Sequence, residues 1–501
     1  MSRENGAALD FTINIDATAD LDLDTDHAEA LITVQSSPGG TPAPAGRIAE
    51  ILIMDRSLSM KGQRKINEAR RAARAAIDAL PDGALLAIIA GNERAVCVFP
   101  PFQGLARIDA EAREAAKHAV TGLMPEGGTK IGQWLAEASG LFLADLAAAT
   151  VRHVVLYTDG KNEHESAAEL GSTLDACADQ FVCDVRGLGD DWDHVQLRHI
   201  ADKLHGDAAA VLRIEDLAGD FTRLMRRVQR IAVPRTYLRL APNDAFQITA
   251  ITQAYPVEVD MTQHQRPGGG TVIDVPLGSW EERETRRYQV SLRFDPAAVP
   301  TGEKLRAVRV DLLAEGANGT RVPCANAPVT VLRHATPGDP PAIPESITQV
   351  HDQREIGLAI RACVDAWLNG RNADADDELD VALRLARKSR DPRLPLLEDI
   401  AESGPDGKVR VRRDLTPGEM KKLGLDSFKT ALPSSHRPPA RPEDQPAGQP
   451  QDDVDKAGER GAGSAMPMGA GQACGICGEQ NDPGSAHCVE CGNRLRGRGA
   501  A

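Results

Sequence analysis

Three short oxygen-bearing side chains follow one apolar segment at alternate positions. The segment IAEILIMD ends in Asp55, and Ser57 and Ser59 come two and four residues later. A short continuous apolar run is typical of a buried parallel strand, and in a doubly wound sheet ligands bind beyond the carboxyl ends of the strands. Oxygen donors in such a loop can converge on one point. Neutral hydroxyls with few carboxylates suit a hard cation such as Mg²⁺, or Mn²⁺ in its place.

Two further segments offer donors of the same kind. Gly127 and Gly128 precede Thr129 just before a helical pattern, and glycines allow a loop to approach a metal closely. The apolar segment HVVLYT ends at Asp159, which places a carboxylate at the end of another strand. The sequence therefore predicts one metal site built from Asp55, Ser57, Ser59, Thr129 and Asp159.

These motifs resemble those of the von Willebrand factor A family, over roughly residues 47–232. The family's Asp-x-Ser-x-Ser motif is matched by DRSLS at 55–59, its separate threonine by Thr129, and its later aspartate by Asp159. Leu58 stands where family members often have glycine. Because that position is not a ligand, the difference concerns the shape of the loop.

The resemblance implies a metal-ion-dependent adhesion site. Ser57, Ser59 and Thr129 would contact the metal directly, and Asp55 and Asp159 would act directly or through water. Because the protein would supply few negative charges, the bound cation would stay electrophilic, and one coordination position would remain open. We expect an aspartate or glutamate of a protein partner to fill that position.

A second metal site is predicted near the C-terminus. Two CxxC pairs are separated by ten residues, a spacing that suits a tetrahedral structural Zn²⁺. This stretch, 471–496, resembles the zinc-ribbon family, and a unit with no core depends on the metal to fold. A redox pair or free thiols are the alternatives, and His487 could also serve as a ligand. The predicted zinc ligands are Cys474, Cys477, Cys488 and Cys491.

The composition limits the protein class. The chain has 501 residues and a net charge of −15, which disfavours nucleic acid as a partner. Its first residues lack a signal-peptide pattern, and no apolar run is long enough for a membrane span. We therefore expect a cytoplasmic protein with no membrane association. The remaining cysteines are expected to be small buried hydrophobic residues: Cys97, Cys177, Cys183, Cys324 and Cys363.

The elements that position the metal site follow from periodicity. Strands alternate with helices over 47–232, which predicts a doubly wound, mostly parallel, Rossmann-like α/β sheet. Period-two alternation over 233–335 predicts an antiparallel β-sandwich-like domain or half-barrel, into which strands from 1–46 are expected to pair. The other predicted parts are a helical region with a helical hairpin (345–432), a disordered linker (433–470) and the zinc ribbon (471–496).

We predict a cytosolic, non-enzymatic interaction scaffold that binds a partner carboxylate through a divalent cation. The alternative is a subunit of an ATPase-driven, chelatase-like complex. An enzyme is disfavoured because neither a P-loop nor a GxSxG motif is present, although an aspartyl nucleophile at Asp55 is conceivable. His153 is interpreted as a strand-face residue. A nucleic-acid role for the ribbon alone is the remaining hypothesis.

Overall fold

The computed structural model describes residues 9–22, 25–39, 48–61, 65–144, 151–316, 319–334, 343–405 and 407–432, together with the backbone at 472–473 and 480–481. The chain divides into two compact units, Met1–Pro438 and Pro439–Ala501.

The described strands of the first unit range from 2 to 13 residues in length. In chain order they are β1 (Leu9–Ala17), β2 (Asp20–Leu21), β3 (His27–Pro38), β4 (Ile48–Asp55), β5 (Leu85–Gly91), β6 (Ala95–Phe99), β7 (Ala106–Arg107), β8 (Val151–Thr158), β9 (Val182–Leu188), β10 (Ala208–Val211), β11 (Ile231–Pro242), β12 (Phe246–Tyr255), β13 (Val259–Asp260), β14 (Arg266–Gly269), β15 (Val272–Glu281), β16 (Thr285–Phe294), β17 (Lys304–Glu315), β18 (Arg321–Arg333), β19 (Ala401–Ser403) and β20 (Val409–Val411).

The described α-helices of this unit are α1 (Lys65–Ala79), α2 (Ala110–Thr121), α3 (Ile131–Ala144), α4 (Ala167–Cys177), α5 (His194–Lys203), α6 (Leu217–Gln229), α7 (Glu345–Leu368), α8 (Asn372–Ser389), α9 (Leu394–Asp399) and α10 (Pro417–Asp426).

A seven-stranded sheet carries the predicted metal site. Its strand order is β10-β9-β8-β4-β5-β6, with β7 also pairing with β5. The five strands from β10 to β5 are parallel, so their carboxyl ends meet at one edge. Helices α3, α4 and α5 cover one face of the sheet, and α1, α2 and α6 cover the other. The α/β fold predicted for this region is confirmed.

The sheet is mostly parallel, as the sequence predicts, and it also contains two antiparallel strands. Strands β6 and β7 pair with β5 in the antiparallel sense. Only residues 92–94 join β5 to β6, and so short a connection forms a hairpin because a parallel crossover needs a dozen residues or more.

Two further sheets share one hydrophobic core. Their strand orders are β1-β3-β16-β12-β13 and β14-β15-β11-β17-β18-β2. Strand β3 precedes the α/β region in the chain, and it pairs along its length with β16, which follows that region. The α/β region is therefore inserted between strands of one sheet. Phe11 of the first sheet contacts Trp280 of the second edge to face, with ring centroids 5.4 Å apart.

Helices α7 to α10 form a separate core, with α7 and α8 packed against each other. Thr416 caps α10 through a capping box with Glu419, as the sequence TPGEM indicates. The same helix contacts the α/β region. The Gly418 N–H donates to Asp190 Oδ1 at 2.7 Å, and Leu425 joins the core beneath α3, α4 and α5.

In the second unit the structure describes one antiparallel backbone pair, β21 (Gln472–Ala473) with β22 (Gln480–Asn481). The predicted linker and zinc ligands, Cys474, Cys477, Cys488 and Cys491, lie outside the described residues. Of the remaining cysteines, Cys177, Cys183 and Cys363 are buried, as expected, whereas Cys97 and Cys324 are half-buried. None of the described helices is long and apolar enough to cross a membrane.

Candidate metal centre

Asp55 is held rigidly at the carboxyl end of β4. Its Oδ1 accepts the Ser57 N–H at 2.7 Å, and its Oδ2 accepts the Thr158 hydroxyl at 2.6 Å. The carboxyl group is 1% exposed, and burial raises its pKa to about 6 against the opposing hydrogen bonds from Ser57 and Thr158. The first residue of the predicted motif therefore shapes the loop that carries the two serines.

The predicted hydroxyl groups converge on one point. Ser57 Oγ lies 2.9 Å from Ser59 Oγ, which donates to Asp159 Oδ1 at 2.6 Å. A methyl group at Gly160 would lie 3.0 Å from Thr129 Oγ1, 3.3 Å from Ser59 Oγ and 3.8 Å from Ser57 Oγ. The structure thus brings together all five residues that the sequence singles out.

Backbone hydrogen bonds join the first two loops of the site. The Leu58 N–H donates to the Gly127 carbonyl at 2.9 Å, and the Glu126 N–H donates to the Arg56 carbonyl at 2.7 Å. Gly127 has φ +73°, a left-handed conformation that glycine adopts without strain. Leu58 stands where family members often have glycine. Its side chain is 60% exposed and lies in solvent.

The third loop fixes the start of α3 beside Thr129. The Ile131 N–H donates to Asn162 Oδ1 at 2.9 Å, and the Gly132 N–H donates to Glu165 Oε1 at 2.6 Å. The first turn of a helix has N–H groups without intrahelical partners. Because residues 162 and 165 satisfy two of these groups, the loops after β8 and before α3 hold each other in place.

Two residues of the site are not identified by sequence reasoning. Lys65 Nζ lies 2.6 Å from Asp159 Oδ2, and its side chain is 9% exposed. A lysine at the start of an amphipathic helix normally faces solvent, so its sequence context gives no signal. Thr158 is fully buried and donates to Asp55. Its position directly before Asp159 is the sequence signal that could have identified Thr158 as part of the site.

His153 and His164, which flank Asp159 in the sequence, differ in their surroundings. The ring of His164 lies over Gly128 and 3.7 Å from Glu93 Oε1, at the rim of the site. His153 lies near the start of β8, at the opposite end of the sheet. Its two nitrogens contact Glu50 at 2.9 Å and Asp184 at 3.2 Å, and all three side chains are buried.

The donors at the carboxyl edge fit a hard cation. Three hydroxyl groups and the Asp159 carboxylate face one place, and the buried ammonium of Lys65 already pairs with that carboxylate. Oxygen-only donors of this kind match the ligand preference of Mg²⁺. The Asp159 carboxylate therefore already has a cationic partner in this structure, the Lys65 ammonium.

Comparison with known proteins places this geometry in context. Residues 49–210 match the von Willebrand factor type A domain. A solved structure described as a von Willebrand factor type A protein from Catenulispora acidiphila is 30% identical, with a TM-score of 0.79, covering 86% of this chain and 99% of its own. Comparison with curated proteins found no match.

A second solved structure shares the fold. The ArnB paralog VWA2 from Sulfolobus acidocaldarius is 13% identical, with a TM-score of 0.52, and the match covers 84% of this chain and 98% of that one. The Catenulispora structure is similar in sequence as well as in fold, and it is matched over nearly its whole length. The chain belongs to the von Willebrand factor type A family.

Proposed function

We propose that this protein is a non-enzymatic protein-interaction scaffold whose metal centre binds a partner carboxylate through Mg²⁺ or Mn²⁺. Ser57, Ser59 and Thr129 would hold the cation directly, with Asp55 and Asp159 acting directly or through water. The bound cation supplies a Lewis-acidic position for an aspartate or glutamate of the partner. The observation that carries the proposal is the convergence of three hydroxyl groups around Gly160.

The chain's own residues prepare this contact. The Asp55 carboxylate orients the serine loop through the Ser57 N–H, and Thr158 fixes the second oxygen of that carboxylate. Leu58, between the two serines, is 60% exposed. Met124, a few residues before Thr129, is 66% exposed. Exposed apolar side chains around a polar centre are typical of interaction surfaces. They would pack against the partner around the metal-bridged carboxylate.

The first experiment tests cation binding and partner capture with Thr129→Ala. We expect Mn²⁺ affinity, measured by titration calorimetry, to fall at least about tenfold because one ligand hydroxyl is lost. Partner capture by the immobilised full chain should require Mg²⁺ or Mn²⁺, disappear in EDTA, and be lost in this variant. Mass spectrometry of the captured proteins identifies the partner, and an ATPase among them would support the chelatase-like alternative.

Two controls accompany this variant. Thr129→Ser keeps the hydroxyl and should retain capture, and Thr121→Ala removes an exposed hydroxyl at the end of α2 and should behave as wild type. Capture at wild-type strength by a folded Thr129→Ala protein would refute the proposed mechanism.

We also propose a structural Zn²⁺ held by Cys474, Cys477, Cys488 and Cys491. Cys474→Ser should release one zinc per chain, measured by elemental mass spectrometry, because a structural site needs all four ligands. Mn²⁺ affinity at the α/β site should not change. Cys324→Ser, which alters a half-buried cysteine of β18, is the control that should keep its zinc. Loss of Mn²⁺ binding together with zinc would show that the two sites are not independent.

A further inference from the structure

A charged cavity of about 390 Å³ lies on the α/β region away from the metal centre. It is bounded by β9, the edge strand β10, helix α6 and the segment of residues 422–429 from the helical region. Volumes of 300–1,000 Å³ are typical of small-molecule sites. The small side chains of Ala209 and Ala210 line the cavity where β10 forms the edge of the sheet.

The cavity is strongly basic, although the whole chain carries a net charge of −15. Its lining contains three acidic residues, Asp207, Asp220 and Asp426, and twice as many basic ones. Glu281, which does not line the cavity, pairs with Arg227 and Arg230. Even with Glu281 included, the cluster has two more positive than negative groups. The basic residues are Arg186, Arg223, Arg227, Arg230, Lys422 and Lys429.

Arg186 is a fixed and buried part of this cavity. Its side chain is 4% exposed, its Nε lies 3.0 Å from Asp220 Oδ2, and its Nη1 donates to the Val185 and Asp207 carbonyls at 3.0 Å. Tyr157 also donates to Asp220 Oδ2, at 2.9 Å. The protein therefore holds a buried guanidinium at the cavity through a hydrogen-bonded network.

The more exposed cations reach the cavity from two sides. Arg223, on α6, has a 70% exposed side chain and lies 3.2 Å from Asp220 Oδ1. Lys422 and Lys429 both pair with the single carboxylate of Asp426 from the other side. A guanidinium has five N–H donors and an ammonium three, so one carboxylate does not exhaust their hydrogen-bonding capacity.

We propose that this cavity binds a small molecule that carries a diphosphate group. The excess of two positive groups matches a ligand with at least two negative charges, and guanidinium groups match phosphate oxygens in bidentate geometry. The volume of the cavity and the negative charge of the whole chain favour a small ligand over a nucleic acid. This site would act independently of the metal centre.

Titration calorimetry with sodium pyrophosphate tests the proposal. The full chain is first freed of divalent cations on a chelating resin, so that pyrophosphate cannot bridge to a metal in the α/β site. We expect saturable binding of one pyrophosphate, with orthophosphate binding more weakly. In Arg223→Ala/Lys422→Ala, which removes one cation from each side, affinity should fall about tenfold or more.

The matched control is Arg213→Ala/Arg384→Ala. These arginines also pair with an aspartate three or four residues away, with side chains 71% and 67% exposed, but they lie outside the cavity. The control should bind pyrophosphate like wild type, and thermal melts should show that both double variants are folded. The absence of saturable binding, equal affinity in both double variants, or equal affinity for orthophosphate and pyrophosphate would overturn the proposal. Binding of an acidic peptide without pyrophosphate binding would do so as well.

Discussion

Replacing His153 with leucine is expected to lower the free energy of unfolding by about 3–5 kcal/mol, because two buried carboxylates lose the cation between them. His153 contacts Glu50 at 2.9 Å and Asp184 at 3.2 Å, and none of the three side chains is more than 3% exposed. Leucine is close to histidine in volume, so the loss is mainly electrostatic. Urea unfolding of the full chain measures it.

The double variant Glu50→Gln/His153→Leu is the control. It removes one of the carboxylates left without a cation, and it should recover part of the lost stability. Mn²⁺ affinity at the metal centre should be unchanged in both variants, because Glu50 and Asp55 are five residues apart in β4, about 16 Å along the strand. A His153→Leu protein as stable as wild type would contradict an ionised cluster.

The same cluster should make stability depend on pH. Burial alone would lower the pKa of His153, but the charges of Glu50 and Asp184 and the hydrogen bonds to them raise it from 6.5 to about 9. A raised folded-state pKa contributes stability that is complete below the unfolded-state value. We expect this contribution to decline as pH rises above 6.5 and to be lost as it passes through about 9. The decline should be smaller in His153→Leu.

The second large effect is expected from Lys65→Met, which should tighten Mn²⁺ binding about 10- to 100-fold if the proposed cation site is correct. The Lys65 ammonium lies 2.6 Å from Asp159 Oδ2 and is almost fully buried. It would therefore compete with the proposed divalent cation for the same carboxylate. Methionine keeps most of the aliphatic length of the side chain but removes its charge.

Titration calorimetry with Mn²⁺ compares this variant with Lys61→Met, which removes an exposed charge from the neighbouring turn. Lys61→Met should bind as wild type does. Without a divalent cation, Lys65→Met should be less stable than wild type, because the buried Asp159 loses its ion pair. Unchanged or weaker Mn²⁺ binding in Lys65→Met would mean that Lys65 positions Asp159 for the cation instead of competing with it.

The sequence predicts the α/β fold well because its signal is local. Apolar runs such as 48–55 and helical spacing such as 65–79 depend only on neighbouring residues. The mostly parallel sheet is predicted, but not which of its strands run antiparallel, since pairing direction depends on the length of the connection between strands. Membership of the von Willebrand factor type A family, inferred from motifs at strand ends and helix starts, is also confirmed by the 30% identity to the Catenulispora structure.

Residue types alone give the donors of the candidate metal centre: two carboxylates and three hydroxyl groups, each at the end of a strand or before a helix. Only the tertiary structure brought Ser57, Thr129 and Asp159 around one point and buried Lys65 among them. The same holds for the ion cluster of His153 and for the basic cavity, whose cations come from two distant segments of the chain, 186–230 and 422–429. An ionic contact depends on distance in space, and local periodicity does not encode that distance.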